Sequence, residues 1–512
     1  MFVRRLKNRS GSVSIQIISK SRGRYKVLKS LDSATTRQEI NRLCLLAEQE
    51  LEKFSNPTTL FLSEKDKTVE QAFSVLHNSS IRAIGPELIF GKIFDSIGSN
   101  AVKEGLFRHL VISRLAFLLS KLKAVEHLYR YQGISLNIDS VYRFLDKLNS
   151  KLKEQVEQIA YTYTLKVLKG QISLVFYNMT TLYFEASDED DLRKTGFSKD
   201  GRHQNPQIFI GLLVRTGGYA IGYDIYEGNT YEGQTLISFL EKASKKFNLE
   251  KPVVIANGGL LSKDNIIALE ENGYEYMLGA RLKNESEKIK TQILENTFTD
   301  GITVSIKRGE GTRIIVNYSN SRAAKDAYNR KRGLTRLEKR VKSGKLTKGN
   351  INNRGYNKYL KLEGDVNIEI DYAKYENDQR WDGLKGYVTN TKLSDDEVLE
   401  YYKNLWHIER EFRMSKTDLR IRPIYHRLRE RIEAHICISF TAYCIYKELE
   451  RVLYAEDSSI SVKHAVELTL NMYQITYNLP DSKQTKTKLL NMDEQQRELY
   501  EIIERNFWVL HV

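Results

Sequence analysis

Tyr402, Glu409 and Lys416 follow one another at intervals of seven residues. In a helix of 3.6 residues per turn that interval is about two turns, so the three share a face. Leu405 and Arg413, four residues either side of Glu409, join it. One stripe therefore carries a phenol, a carboxylate, a guanidinium and an ammonium. A carboxylate can hold a divalent metal, and the cations and the phenol can hold phosphates beside it. By spacing alone the stripe reads equally well as an intrahelical ion pair between Glu409 and Arg413. Two asparagines close apolar runs elsewhere: Asn178 after Leu174–Tyr177, and Asn257 after Val253–Ala256.

Charge points the same way. The net charge is +15 and the pI is near 9.3, which favours a polyanionic partner over a merely basic surface. Residues 322–361 hold fourteen lysines and arginines against only Asp326 and Glu338. A solvated helix face normally mixes signs, so this excess favours phosphate contact. Arg330, Lys331, Arg332, Arg336, Lys339 and Arg340 are the expected contacts; a flexible basic loop is the alternative. Cys44, Cys437 and Cys444 form no CxxC pair, and their odd number argues against a disulfide framework and for a reducing compartment. No run of 18 apolar residues predicts a membrane span, and the first residues carry no secretory pattern.

The elements that must position these residues can be read from periodicity. Residues 12–30 read as two strands around a basic turn, and 35–55 as an amphipathic helix. Residues 100–165 read as helical; within them Ile134–Asp139 and Ser140–Leu145 fit either the turn and second helix of a helix-turn-helix or part of a plain bundle. Strands are predicted at Gln171–Asn178, Ile208–Val214, Tyr219–Tyr226, Pro252–Ala256 and Tyr274–Leu278. Helices fall at about 233–246 and after Ser262. Three strands, then helix, strand, helix, strand is the order of an RNase H-like sheet. Further strands at Ile302–Ile306, Arg313–Val316 and Val366–Ile370 flank the basic stretch. Ser394 with Glu397 forms a capping box that starts the helix of Glu409.

The expected fold class is α/β. It comprises an RNase H-like core with a mixed five-stranded sheet, a mainly helical N-terminal region and a basic insertion domain. The expected divisions are 1–60 (β-hairpin and helix), 61–168 (helical, DNA-binding) and 169–281 (core, first part). They continue with 282–390 (insertion), 391–450 (core, second part) and 451–512 (helical tail).

Tyr402-Lys403-Asn404-Leu405-Trp406-His407-Ile408-Glu409 with Lys416 resembles the C-terminal signature of IS4-type DDE transposases: tyrosine, two residues, arginine, three, glutamate, six, lysine. Leu405 stands where that signature has arginine, a contact that Arg413 is placed to supply. Tyr177–Glu185 is similar to the family's first-aspartate strand, with Asn178 in the aspartate position. Ile255–Ser262 is similar to its second-aspartate motif, with Asn257 in the aspartate position. Gly196–Asp200 with Gln204–Gln207, and Tyr226–Gly233, resemble the second-strand entry and the strand-to-helix turn. The resemblance covers roughly 90–450 and is closest to the IS1634 branch.

What the resemblance implies is a bacterial insertion-sequence transposase that is cytoplasmic and nucleoid-associated. Its partners would be double-stranded DNA, as terminal inverted repeats and target, and a second copy of the chain. In the family three carboxylates hold two Mg2+ (or Mn2+) ions for in-line displacement at a DNA phosphate. The corresponding positions here are Asn178, Asn257 and Glu409. An asparagine keeps a carbonyl oxygen and loses the charge, so weak metal binding and impaired catalysis are expected. The alternatives are a non-catalytic DNA-binding relic or repressor, a general RNase H-like nuclease or resolvase, and a misplacement in which Asp188, Asp190, Asp191 or Asp264 carries the chemistry.

Overall fold

The computed structural model describes the chain except residues 22, 56–63, 75, 78–79, 118–119, 171, 197–200, 202–203, 232, 234, 345, 353–354, 364–366, 406–423, 480–481, 483 and 508–512. The chain forms two compact units, Met1–Ser80 with Thr476–Thr487, and Ile81–Ile475 with Lys488–Val512.

In the first unit β1 (Phe2–Lys7), β2 (Val13–Ser21) and β3 (Arg24–Ala34) form one antiparallel sheet. The expected hairpin is thus one strand short: Phe2-Val3-Arg4-Arg5-Leu6-Lys7 carries too few apolar residues to announce itself, yet it pairs with β2 along its whole length. Helix α1 (Arg37–Ser55) packs Cys44 and Ala47 onto Ile15 and Ile17 of β2. Helix α2 (Glu64–Ser74) follows.

The second unit begins with β4 (Ile81–Ala83), which pairs antiparallel with Tyr473–Ile475. Its N-terminal part is helical: α3 (Lys92–Ile97), α4 (Gly105–Ala116), α5 (Lys121–His127), α6 (Ile138–Lys147) and α7 (Lys153–Val167). Asn137 caps α6 by accepting from the Asp139 amide. Val141, Phe144 and Leu145 of α6 are buried, as a bundle requires.

Then come β5 (Leu174–Tyr183), β6 (Gln207–Val214), β7 (Ala220–Glu227), α8 (Thr235–Phe247), β8 (Val253–Ala256), α9 (Lys263–Glu271) and β9 (Tyr276–Ala280). This is the element order expected from the sequence. Strand β5 runs five residues past Asn178, because Met179–Tyr183 pair with Gln207–Gly211 of β6. Next are α10 (Glu287–Leu294), β10 (Thr303–Gly309), β11 (Thr312–Tyr318), α11 (Asn320–Lys342), β12 (Leu360–Glu363), β13 (Asn367–Ile370), α12 (Tyr372–Asp378) and β14 (Leu384–Thr389). A helix over 395–405, α13, starts at the Ser394–Glu397 capping pair. Helix α14 (Arg429–Ala455) is buried on nearly every side.

The main sheet has eight strands, not five, in the order β10-β11-β14-β9-β8-β5-β6-β7. The strands expected within an insertion, at 302–306 and 313–316, instead widen this sheet through β14, which pairs with both β11 and β9. Alternation in a strand does not reveal its neighbour, so the sequence alone could not show that they join the main sheet rather than an insertion. Strand β13 lies apart in a two-stranded hairpin with β12. Every residue of β5 except Tyr183 is buried, because helices cover both faces. Val175, Tyr177, Val254 and Ala256 face α8 and α9. Phe176, Leu182, Ile255 and Met277 face the side of α4, α13 and α14.

Candidate active site

Strands β5 and β8 are parallel, with Phe176 opposite Ile255 and Tyr177 opposite Ala256. One residue further along each chain stand Asn178 and Asn257, so the register brings them side by side where β8 ends. Side chains alternate across a sheet. Asn178 therefore shares the face of Phe176, toward α13 and α14, while Asn257 lies one residue past the end of β8. Asn178 is 8% exposed. On the same face, two residues along β5, the Thr180 hydroxyl is buried with no hydrogen-bond partner among the described residues.

Asn257 closes a local turn: its Oδ1 accepts from the Gly259 amide at 2.9 Å, and its carbonyl from the Leu260 amide at 3.1 Å. Gly258 lies so near Gly279 of β9 that a Cβ on it would sit 2.9 Å from the Gly279 carbonyl oxygen. A Cβ on Gly279 would come within 2.4 Å of the Tyr402 hydroxyl and 2.9 Å of the Gly258 amide nitrogen. Tyr402 thus seats α13 on β9 at Gly279, which itself packs against Gly258. Its ring is buried, packs edge-on against Tyr387 at 4.6 Å and lies 4.8 Å from Lys385 Nζ. Leu405, one turn on, is buried in the same core, which explains an apolar residue there. Tyr402, expected to contact phosphate, is 7% exposed and packs between helix and sheet. The signal for this was present as Gly258 and Gly279, whose missing side chains make the room.

Glu409, Arg413 and Lys416 lie outside the described residues. Among the described residues no group of three or more His, Cys, Asp or Glu side chains is placed to hold a metal ion. Two divalent ions need anionic oxygen around them. Asn178 and Asn257 offer neutral amides, and the Oδ1 of Asn257 is already engaged. As described, this donor set does not fit a pair of Mg2+ ions. Asp190 does not substitute: it accepts from the Leu192 and Arg193 amides and pairs with the Arg193 guanidinium at 2.6 Å.

Helix α11 carries the basic segment and divides it. Lys331, Arg332, Arg336, Lys339 and Arg340 are exposed. Lys325, Arg332 and Lys339 recur every seven residues on the open face, along a helix roughly 35 Å long. Exposed Tyr328 stands among them, with the Arg332 guanidinium 5.7 Å from its ring centre. Arg330 is the exception. It is 9% exposed, ion-paired with Asp382 and stacked 5.2 Å over Tyr375. Burial disfavours its charge, but Asp382 holds its pKa above the usual arginine value. Arg330 lies with Gly333 and Leu337 on the buried face of α11, a spacing the sequence already contained.

The transposase DDE domain family matches residues 186–445, just over half of the 512-residue chain. This chain belongs to that family. The match takes in Asn257, Tyr402 and the position of Glu409; the strand of Asn178 lies just before it. Among curated proteins, none matches the chain. Solved structures similar to the chain include transposase complexes. One is the piggyBac transposase synaptic complex with hairpin DNA, at 9% identity over 75% of this chain and 76% of that chain, with a TM-score of 0.37. Another is the Mos1 transposase paired-end complex with left transposon end, at 11% identity over 31% of this chain and 53% of that chain, with a TM-score of 0.16. A third is the Mos1 mariner paired end complex with Mn, at 12% identity over 28% and 43%, with a TM-score of 0.15. The chain thus spans about half of each Mos1 chain. No helix among its described residues is long and apolar enough to cross a membrane.

Proposed function

We propose that this transposase is of the IS4 type, IS1634 branch. In this reading it is encoded by a bacterial insertion sequence, acts in the cytoplasm and binds the terminal inverted repeats as a homodimer. Two-fold pairing is the simplest way to bring two DNA ends together. Its core is RNase H-like, a reading supported by the strand order β7-β6-β5-β8-β9, with the first three antiparallel and the last two joined in parallel. The observation that supports this reading is the β5–β8 register, which pairs Tyr177 with Ala256 and so brings the next residues, Asn178 and Asn257, to neighbouring places in the chain path. Those are the places where the resemblance expects two of three acids.

The exposed cations of α11 hold phosphates, and Tyr402 keeps the helix leading to Glu409 at the strand ends. Because the donor set as described does not fit paired Mg2+ ions, no metal-dependent step is assigned to this chain as it stands. It binds DNA and is impaired in cleavage and strand transfer. The second reading, a non-catalytic DNA-binding relic or repressor, is favoured by the same asparagine pair.

The test is Mg2+-dependent cleavage of the DNA ends flanking its coding sequence, by this chain beside Asn178→Asp/Asn257→Asp. Cutting by the double variant alone, with binding by both, supports an inactivated transposase. Binding without cutting by either supports the relic. Equal cutting by both defeats the assignment of these positions.

A further inference from the structure

We infer that the outer face of the β1–β2–β3 sheet is a separate duplex-DNA-reading surface, contacting base edges where α11 contacts only phosphate. The inference rests on the reading of this chain as a DNA-binding transposase, and it assigns sequence recognition to the first unit.

Charge segregation is the first observation. Residues 1–31 contain nine lysines and arginines and no acidic residue; the first acid of the chain is Asp32. The face toward α1 buries Ile15 and Ile17 completely, and on the other face Ile18 alone of β2's isoleucines is buried, at 1% exposed. Some of the charge serves that side: Arg5 donates to Cys44 Sγ at 3.1 Å, and Lys29 pairs with Glu50 at 2.7 Å.

The other face is laid out by the strand register. Lys20 lies opposite Tyr25; Ile18 opposite Phe2 and Val27; Gln16 opposite Arg4 and Ser30; Ser14 opposite Leu6 and Ser33. Four large apolar side chains there stand open to solvent, with Phe2 43%, Leu6 36%, Tyr25 58% and Val27 50% exposed. Phe2 and Tyr25 meet edge-to-face at 6.4 Å, and Lys20 lies 5.3 Å from the Tyr25 ring centre. Next to this apolar patch runs the polar row Arg4-Gln16-Ser30, with Gln16 Nε2 3.5 Å from Ser30 Oγ.

Duplex DNA accounts for all of this together. A major groove admits β-strands, takes arginine against guanine and glutamine against adenine, and offers thymine methyl groups to apolar side chains. Cations at both ends of the sheet, Lys7 and Arg9 at one turn and Arg24 at the other, fall where the backbones would flank the groove. A protein partner for the apolar patch would not need a segment stripped of every acid.

The experiment uses the full chain and a random-sequence duplex library, selected in rounds of binding. The unmodified chain is expected to enrich a motif. Arg4→Ala/Gln16→Ala, both pointing away from the α1 core, should keep the melting temperature and lose the motif, with affinity for the enriched duplex falling about tenfold or more. Arg332→Ala/Arg336→Ala/Lys339→Ala should weaken binding to every duplex alike and keep the motif. Retention of the motif at unchanged affinity by Arg4→Ala/Gln16→Ala overturns the inference. So does a change in oligomeric mass by light scattering with motif binding intact, which marks a protein-docking face. Failure of the unmodified chain to bind any duplex defeats the DNA-binding reading itself, a result distinct from the other two.

Discussion

Tyr177 on β5 lies directly opposite Ala256 on β8, in parallel register. Parallel strands need a crossover, and α8 supplies it between β7 and β8. That pairing joins two sites nearly eighty residues apart in sequence. It is why Asn178 and Asn257 act as one place in the molecule, and why changes at the two should be coupled.

Asn178→Asp/Asn257→Asp should lose stability without metal and recover it with Mg2+. Two carboxylates side by side, one of them buried, lack compensation, at a cost on the order of 1–3 kcal/mol. Binding of an ion to the native state restores it by mass action. Melting curves with and without Mg2+ check this. A double variant whose melting is metal-insensitive would sink the assignment of these positions.

Gly279→Ala should be destabilising by about 1–3 kcal/mol, because the new methyl group meets the Tyr402 hydroxyl and the Gly258 backbone. Removing the hydroxyl relieves one of the two clashes, so Gly279→Ala/Tyr402→Phe should recover part of the loss. Urea denaturation of the four proteins measures the coupling. Strict additivity would mean that Tyr402 does not rest on Gly279.

Cations of α11 should separate into two kinds. Arg330→Ala leaves Asp382 unpaired in a largely buried place and should cost on the order of 3 kcal/mol, with little change in DNA affinity per folded molecule. Arg332→Ala, Arg336→Ala or Lys339→Ala should change stability by less than about 0.5 kcal/mol. Each should lower the slope of log affinity against log salt by about 0.9. Fluorescence anisotropy with a labelled duplex across a salt series reads the slopes. The reverse pattern would exchange the roles.

Stability should fall in mild acid through His426. Burial, with Lys121, Arg431 and Arg114 nearby, pushes its pKa down to about 4. An unfolded histidine titrates near 6.5, so between those values the unfolded chain binds more protons than the folded one. The contribution of His426 is therefore complete above pH 6.5 and is lost as pH falls toward 4. Denaturation midpoints at pH 7, 5.5 and 4.5 should decline more steeply for the unmodified chain than for His426→Gln. Parallel declines would show that His426 is not the group responsible.

Much of this was legible in the residues. The apolar runs, the Ser394–Glu397 cap and the seven-residue interval from Tyr402 to Glu409 are local patterns. Local patterns specify where a strand or helix forms, so the order from β5 to β9 could be read directly. The sequence also shows that 322–361 is strongly basic and that Asn178 and Asn257 close apolar runs. What needed the tertiary structure was every relation across the chain. Alternation cannot say which strand lies alongside, so β10, β11 and β14 joined the main sheet unannounced. Charge cannot say which cation is buried, so Arg330 was separable from Arg332 only once Asp382 and Tyr375 were beside it. The seat of Tyr402 on Gly279, which in turn packs against Gly258, arises from three segments that meet only when β8, β9 and α13 pack, because backbone pairing and side-chain volume act between distant residues and leave no local trace.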